Sequence, residues 1–114
     1  VDAIALTGTG VATLDLSDAG AAGLVFGARA ATLPVITLGP AIGNAMAGNG
    51  SLLTAAAALS VFHQRLPARI NSGSPVLAGA KGDSAPARLR RVVVASSSLG
   101  GQNAAAVLER WADQ

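Results

Sequence analysis

Leu38-Gly39-Pro40-Ala41-Ile42-Gly43-Asn44-Ala45-Met46-Ala47-Gly48-Asn49-Gly50 is the stretch on which the reading of this chain turns. Ahead of it, Pro34-Val35-Ile36-Thr37-Leu38 has the length and apolar content of a short buried strand. Behind it, Ser51 to Leu66 contains no Gly or Pro and predicts a helix. Glycines in the intervening loop let backbone approach a ligand or a neighbouring loop closely, and a helix start presents N–H groups without intrahelical partners. The loop is therefore the expected place of a functional site.

Toward the N-terminus, Ala3-Ile4-Ala5-Leu6 is a continuous apolar run of the kind found in parallel strands buried on both faces. It ends at Thr7-Gly8-Thr9-Gly10, small residues at the strand end where open α/β sheets place ligands. Asp18 is the expected N-cap of a helix through Ala21, Ala22, Leu24 and Val25 that closes at Gly27 and is weakened by Gly20. In the second helix, Leu52, Ala56, Leu59 and His63 fall on one face by spacing, and Pro67 is its expected stop. Strand, helix, strand, helix in succession argues for βαβ units on a parallel sheet.

Toward the C-terminus, Asn71 to Ala87 is rich in Gly, Ser, Pro and Ala, with Pro75 and Pro86 opposing regular structure. It reads as an exposed connection with a short extended piece at Val76-Leu77. Lys81, Arg88, Arg90 and Arg91 make its far end basic. Arg91 to Ser96 predicts a strand, Gly100-Gly101-Gln102-Asn103 a turn, and Ala104 to Leu108 a returning strand, so the sheet is expected to be mixed.

Composition narrows the possibilities further. The 114 residues are read as one domain, 1–114, with 51% hydrophobic and only 12% charged residues. Soluble domains usually carry about 25% charge, so a sizeable apolar face is expected to lie against another chain or another part of the same one. No run reaches the roughly 20 apolar residues of a membrane span. The absence of cysteine removes disulfides, thiolate metal sites and a Cys nucleophile from this chain. A net charge of +2 and three aromatic residues do not suggest nucleic acid. Val1-Asp2-Ala3-Ile4, with no Met and no basic region, reads as a start in mid-fold rather than a signal peptide.

Three motifs, in order, resemble the C-terminal part of the β-ketoacyl synthases, the thiolase-fold condensing enzymes of fatty-acid and polyketide synthesis. Thr7-Gly8-Thr9-Gly10 followed by Asp15 and Asp18 is similar to the family's His-Gly-Thr-Gly-Thr with acids eight and eleven residues after the His. Gly39-Pro40-Ala41-Ile42-Gly43-Asn44, running on to Gly48 and Gly50, is similar to Lys-x-x-Ile-Gly-His-x-x-x-Ala-Ala-Gly. Ser98-Leu99-Gly100-Gly101-Gln102-Asn103-Ala104 resembles Gly-Phe-Gly-Gly-Thr-Asn-Ala. The resemblance implies an α/β fold, the C-terminal half of a thiolase-like fold, with a mixed sheet of βαβα units closed by an antiparallel hairpin.

On this resemblance Thr7 stands at the first catalytic His, Asn44 at the second and Gly39 at the active-site Lys, while the Cys nucleophile belongs to the N-terminal half, outside this sequence. The family's imidazoles stabilise the thioester enolate and its oxyanion during decarboxylation; Thr7 could donate a hydrogen bond but cannot hold a positive charge, and Asn44 alone would be tolerable, since some condensing enzymes use Cys-His-Asn, but the loss of both imidazoles and the lysine is not. The resemblance thus implies a non-catalytic subunit similar to a chain length factor, cytoplasmic and without cofactor or metal. It would pair obligately with a ketosynthase or with a polypeptide supplying the N-terminal half. It further implies a substrate pocket of Thr7, Thr9, Asn44, Leu99, Gly100 and Gly101, and docking of an acyl carrier protein on Lys81, Arg88, Arg90 and Arg91.

Other readings stand beside it. An active 3-oxoacyl synthase could take its Cys from another chain, with Asn44 and Thr7 donating hydrogen bonds to the thioester carbonyl. Gly8-x-Gly10-x-x-Thr13 is half a dinucleotide-binding fingerprint, although no acid follows the second strand to hold a ribose. Asp15 and Asp18 are read as capping and loop hydrogen-bonding groups, His63 as a helix-end residue, Ser96-Ser97-Ser98 as a polar strand end and Leu99 as a core contact of the hairpin.

Overall fold

Ala3, Ile4 and Ala5 are completely enclosed, and this three-residue strand, β1 (Ala3–Ala5), is the piece against which everything else is placed. A computed structural model describes residues 1–71, 73–80 and 82–111. After β1 come helix α1 (Ala12–Phe26), β2 (Val35–Ile36), the single-turn helix α2 (Gly39–Ile42) and helix α3 (Asn49–His63). The short strands β3 (Arg65–Leu66) and β4 (Ala85–Pro86) and the hairpin β5 (Arg91–Ser97) and β6 (Asn103–Glu109) complete the chain.

The main sheet runs β2-β1-β5-β6. β1 is parallel to both neighbours, with Ile4 opposite Val35 and Val93, and β5 and β6 are antiparallel from Arg91 opposite Glu109 to Ser97 opposite Asn103. The mixed α/β sheet closed by an antiparallel hairpin is thus as the sequence predicts. The chain steps from β1 outward to β2 and then back across β1 to β5. Two parallel crossovers of one hand in opposite directions must lie on opposite faces.

Side-chain alternation follows that arrangement. Ala3, Ala5, Ile36, Val92 and Val94 pack with Leu53, Ala57 and Val61 of α3, whereas Ile4 and Val35 pack with Ala22, Ala30 and Leu33 on the α1 side. The alanines of β1 are what bring α3 close. Burial of the larger aliphatic groups, about 1.5–3 kcal/mol each, holds these layers against chain entropy.

Several local expectations are corrected. Helix α1 begins at Ala12 behind Val11, which supplies no side-chain cap, so Asp18 lies inside the helix and not at its start. Helix α3 stops at His63 because Gln64 adopts a left-handed backbone, φ +52°, three residues before Pro67. The Gln64 side chain fixes that ending: Nε2 donates to the Val61 and Leu89 carbonyls while Oε1 accepts the Leu89 N–H. The face of α3 turned inward is Leu53, Ala57, Ser60 and Val61, one position along from the expected set, leaving Leu52 and Leu59 exposed. Pro86 belongs to β4, Val76-Leu77 forms a bend and not an extended piece, and Leu99 sits at the hairpin tip, 92% exposed, outside any core.

The N-terminus is tied to the hairpin by one carboxylate. Asp2 Oδ2 accepts the N–H groups of Arg90 at 2.7 Å and Arg91 at 2.8 Å, and these bonds, Arg91's foremost, hold the Asp2 carboxyl below its ordinary pKa of 3.8. A carboxylate with a lowered folded pKa adds stability that is complete above its unfolded value and is lost as pH falls through the folded one. Asp2→Ala should cost about 1 kcal/mol at pH 7, after allowance for exposure. The gap between wild type and variant should close as urea melts are repeated at progressively lower pH through the acid range. A gap that does not change with pH would show that the carboxylate is not what ties the strand.

Candidate functional site

The loop leaving β1 is organised by Asp15. Its Oδ1 accepts Thr9 N at 2.8 Å and Thr9 Oγ1 at 2.9 Å, its Oδ2 accepts Gly10 N at 3.0 Å, and Thr9 Oγ1 in turn accepts Val11 N at 3.1 Å. The carboxylate therefore closes the turn from within the first turn of α1, a loop hydrogen-bonding role of the kind expected for it. Gly8 and Gly10 have φ values of +62° and +76°, which the turn requires.

Two strand ends meet directly here. Gly39 N donates to Thr7 O at 3.2 Å, and an ideal Cβ at position 39 would overlap the Gly8 carbonyl oxygen. A Cβ at Gly8 would in turn lie 2.7 Å from Thr37 Cβ. The backbones are in contact with no room between them. The Thr7 and Thr37 hydroxyl oxygens are buried beside this crossing with no hydrogen-bond partner among the described residues. Each is a destabilising feature unless some further group reaches it.

Below the crossing lies an open cleft of about 570 Å³. Leu6, Val35, Pro40 and Leu77 give it apolar walls, and Thr9, Asp15, Asp18 and Arg69 bring polar groups to it. Asp18 makes no hydrogen bond or ion pair with a described residue; burial first, and then the charge of Asp15, push its carboxyl above 3.8. Arg69 holds the far wall, donating from Nη1 to Ala80 O at 2.8 Å and from Nη2 to Gly73 O at 2.9 Å. Nothing in the sequence flagged Arg69, because its role depends on a loop that folds back over the sheet.

Of the expected pocket residues only Thr9 lines this cleft. Asn44 lies beyond α2, where its carbonyl accepts Met46 N and Asn49 Nδ2. Leu99, Gly100 and Gly101 form the exposed hairpin tip, closed by Ser98 N donating to Gln102 O at 2.9 Å. In the basic group, Arg90 and Arg91 both reach Glu109 Oε1, at 3.2 and 3.0 Å, and Arg91 chiefly lowers the Glu109 pKa. Arg88 is exposed, and Lys81 lies outside the described residues. His63 ends α3 with its ring edge-on to Phe62. No helix among the described residues is long and apolar enough to cross a membrane.

No family model and no curated protein matches the sequence. Solved structures do match the fold. One contains a type II polyketide synthase acyl-carrier protein in complex with its ketosynthase bound to the hexaketide. It superposes with TM-score 0.85 at 21% identity, over 96% of this chain and 28% of that one. The ishigamide ketosynthase/chain length factor gives TM-score 0.85 at 22% identity over 98% and 28%. Ketosynthase twelve of the bacillaene polyketide synthase from Bacillus amyloliquefaciens gives 0.84 at 23% over 100% and 23%. The chain therefore has the thiolase-like fold of part of a ketosynthase and spans about a quarter of those proteins' length.

Removing the Asp15 carboxylate leaves three donors without their acceptor. Because these bonds are exposed and water can take the place of the carboxylate, Asp15→Ala should lower stability by about 0.5–1.5 kcal/mol. Asp18→Asn should act in the opposite sense. A raised carboxyl pKa means that ionisation opposes folding at neutral pH, so the variant should melt higher than wild type at pH 7. Its advantage should vanish below the unfolded value of 3.8, where both are uncharged. A lower melting temperature for the variant at pH 7 would show that Asp18 has a stabilising partner.

Proposed function

We propose that this chain is a ketosynthase-like subunit of the chain-length-factor kind. It would complete a condensing complex that acts on acyl carrier protein thioesters without supplying catalytic groups of its own. The reading is supported most by Gly39. A lysine there has no space while the Thr7-Gly8 backbone rests on position 39, so the missing cation would not be regained by one substitution. The buried Thr7 hydroxyl points the same way, since a group closed off from solvent is a poor proton handler. The proposed partner is a ketosynthase or a polypeptide with the N-terminal half, covering the exposed Leu52, Leu59 and Phe62 of α3. Carrier-protein docking would fall chiefly to Arg88, since Arg90 and Arg91 are shared with Glu109.

One observation favours a second reading, half of an active condensing site. The Asn44 amide is exposed and could donate to a thioester carbonyl. Co-expression with a ketosynthase separates the two. The first reading expects a soluble stoichiometric complex whose malonyl-thioester decarboxylation depends on the ketosynthase's own Cys and survives Asn44→Ala. It also expects Gly39→Lys to lower the melting temperature of this chain without adding activity. Decarboxylation that is lost with Asn44→Ala but kept when the ketosynthase's Cys is replaced would establish the second reading and overturn the first.

A further inference from the structure

β6 forms one edge of the main sheet, and its outer side is bare. Arg110 N donates to Arg90 O at 2.8 Å and Ser98 N to Gln102 O at 2.9 Å. In an antiparallel ladder the backbone groups of alternate residues point to opposite edges, so residues 102, 104, 106, 108 and 110 turn theirs toward β5. Asn103, Ala105, Val107 and Glu109 turn theirs outward, where no backbone group of a described residue meets them. Exposed edges are usually blunted by Lys, Pro or a bulge. β6 has none of these: its pairing with β5 is continuous, and its one charge, Glu109, is shared with Arg90 and Arg91 of the same copy. The opposite edge of the sheet is closed, since Val35 N of β2 donates to Gly79 O at 3.2 Å.

We propose that β6 is the interface for a second copy of this chain, the two β6 strands pairing antiparallel about a two-fold axis at Ala106 to make one continuous sheet. That axis sets Ala105 opposite Val107 and Asn103 opposite Glu109 of the second copy, so each outward N–H and C=O of the strand finds a partner. The two Ala106 residues face each other as a pair without hydrogen bonds, their Cα atoms about 4.5 Å apart, a closeness that suits a small side chain. No like charges stand opposite one another, and the Asn103 amide can donate to the Glu109 carboxylate that it meets. The same register brings Trp111, 82% exposed, level with Gly101 of the second copy, at the hairpin tip that carries Leu99, 92% exposed. An isologous interface needs a patch complementary to itself, and β6 meets that condition in hydrogen-bond parity, side-chain size and charge.

With the β2 edge closed, addition stops at two copies. α3 packs over Val92 and Val94 of β5. In the pair, β5 and its mate lie three strand spacings apart, about 14 Å. Helices in contact are separated by only about 8–10 Å, so the two α3 helices do not collide. Their outer faces stay open, and the proposal does not rest on the ketosynthase-like reading.

The chain has no cysteine, so an introduced thiol reports its own position. The chain is studied with whatever polypeptide it is isolated with, and its copy number is read by native mass spectrometry over a concentration series; two copies per assembly are expected. Ala106→Cys sets two thiols across the axis at a Cα separation that a disulfide spans, about 4.4–6.8 Å. Mild oxidation should link two copies of this chain through position 106, identified by the mass of the linked peptide. Ala104→Cys, also exposed and on the same face, is displaced from its mate by about 14 Å along the strands and should not link. Ala106→Lys sets two ammonium groups opposite each other, and Val107→Pro removes an outward N–H without touching the β5 ladder. Each should raise the concentration needed for pairing about tenfold or more, with the far-ultraviolet circular dichroism unchanged.

One copy per assembly at every concentration would overturn the proposal. So would an Ala106→Lys chain that pairs as wild type does, an Ala106→Cys chain that pairs but fails to link, or an Ala104→Cys chain that links as readily, since another surface would then be responsible. Pairing through β6 in a chain that no ketosynthase binds would leave this proposal standing and overturn the preceding reading.

Discussion

The middle strand is only three residues long and is flanked by parallel neighbours on both edges and helices on both faces. Such a strand can have no polar side chain and no free backbone group. Ile4 N donates to Pro34 O within it, and Asp2 N to Arg91 O and Leu6 N to Ile36 O at its two ends. With Ala at positions 3 and 5 and Ile at 4, the two layers differ in spacing, and α3 can approach the sheet more closely than α1. A larger group at either alanine would have to displace α3, since interiors of this density have no slack.

The same compactness shapes the strand ends. Where β1 and β2 release the chain, the Gly8 carbonyl stands where a Cβ of residue 39 would be, and the Leu33 carbonyl stands likewise against Gly79. The first contact closes the top of the crossing; the second, with Val35 N donating to Gly79 O at 3.2 Å, brings the turn at 77–80 against the open edge of β2. The cleft between them follows from two backbone contacts that only glycine permits. Side-chain chemistry was then fitted to it: Asp15 closes one rim and Arg69 the other.

How far the sequence discloses this depends on whether a feature is local. The apolar stretches at 3–6, 35–36 and 92–95 mark strands because β-branched and small apolar residues without polar interruption suit a doubly covered sheet. Gly27 marks the end of α1 for an equally local reason. The start of α1 is not marked, because Val11 supplies no capping oxygen and Asp15, one turn in, reaches back to the loop instead. In α3 the adjacent leucines 52 and 53 and the alanines from 55 to 58 give almost no amphipathic contrast, so packing against Ala3, Ala5, Ile36, Val92 and Val94 of the sheet decides which leucine turns inward. The Gln64 left-handed ending and the Arg69 clamp are set by partners more than ten residues away and leave no trace in local spacing. Of the candidate site, the glycine turns and Asn44 were legible, whereas the Asn44–Asn49 hydrogen bond requires a loop conformation that spacing does not specify.

What the fold leaves uncovered bears on the proposed partner. Leu52, Leu59 and Phe62 project from the outer side of α3, and beside them Gly50, Thr54, Ala55 and Ala58 face Ala104, Ala105 and Ala106 across an open groove of about 610 Å³. Residues this small leave depth for another element to pack closely, and a chain with 12% charged residues has little means of keeping such a surface hydrated. On the proposed reading, the companion that covers α3 also fills this groove, so that one association removes both the large exposed side chains and the small-residue channel beside them from water.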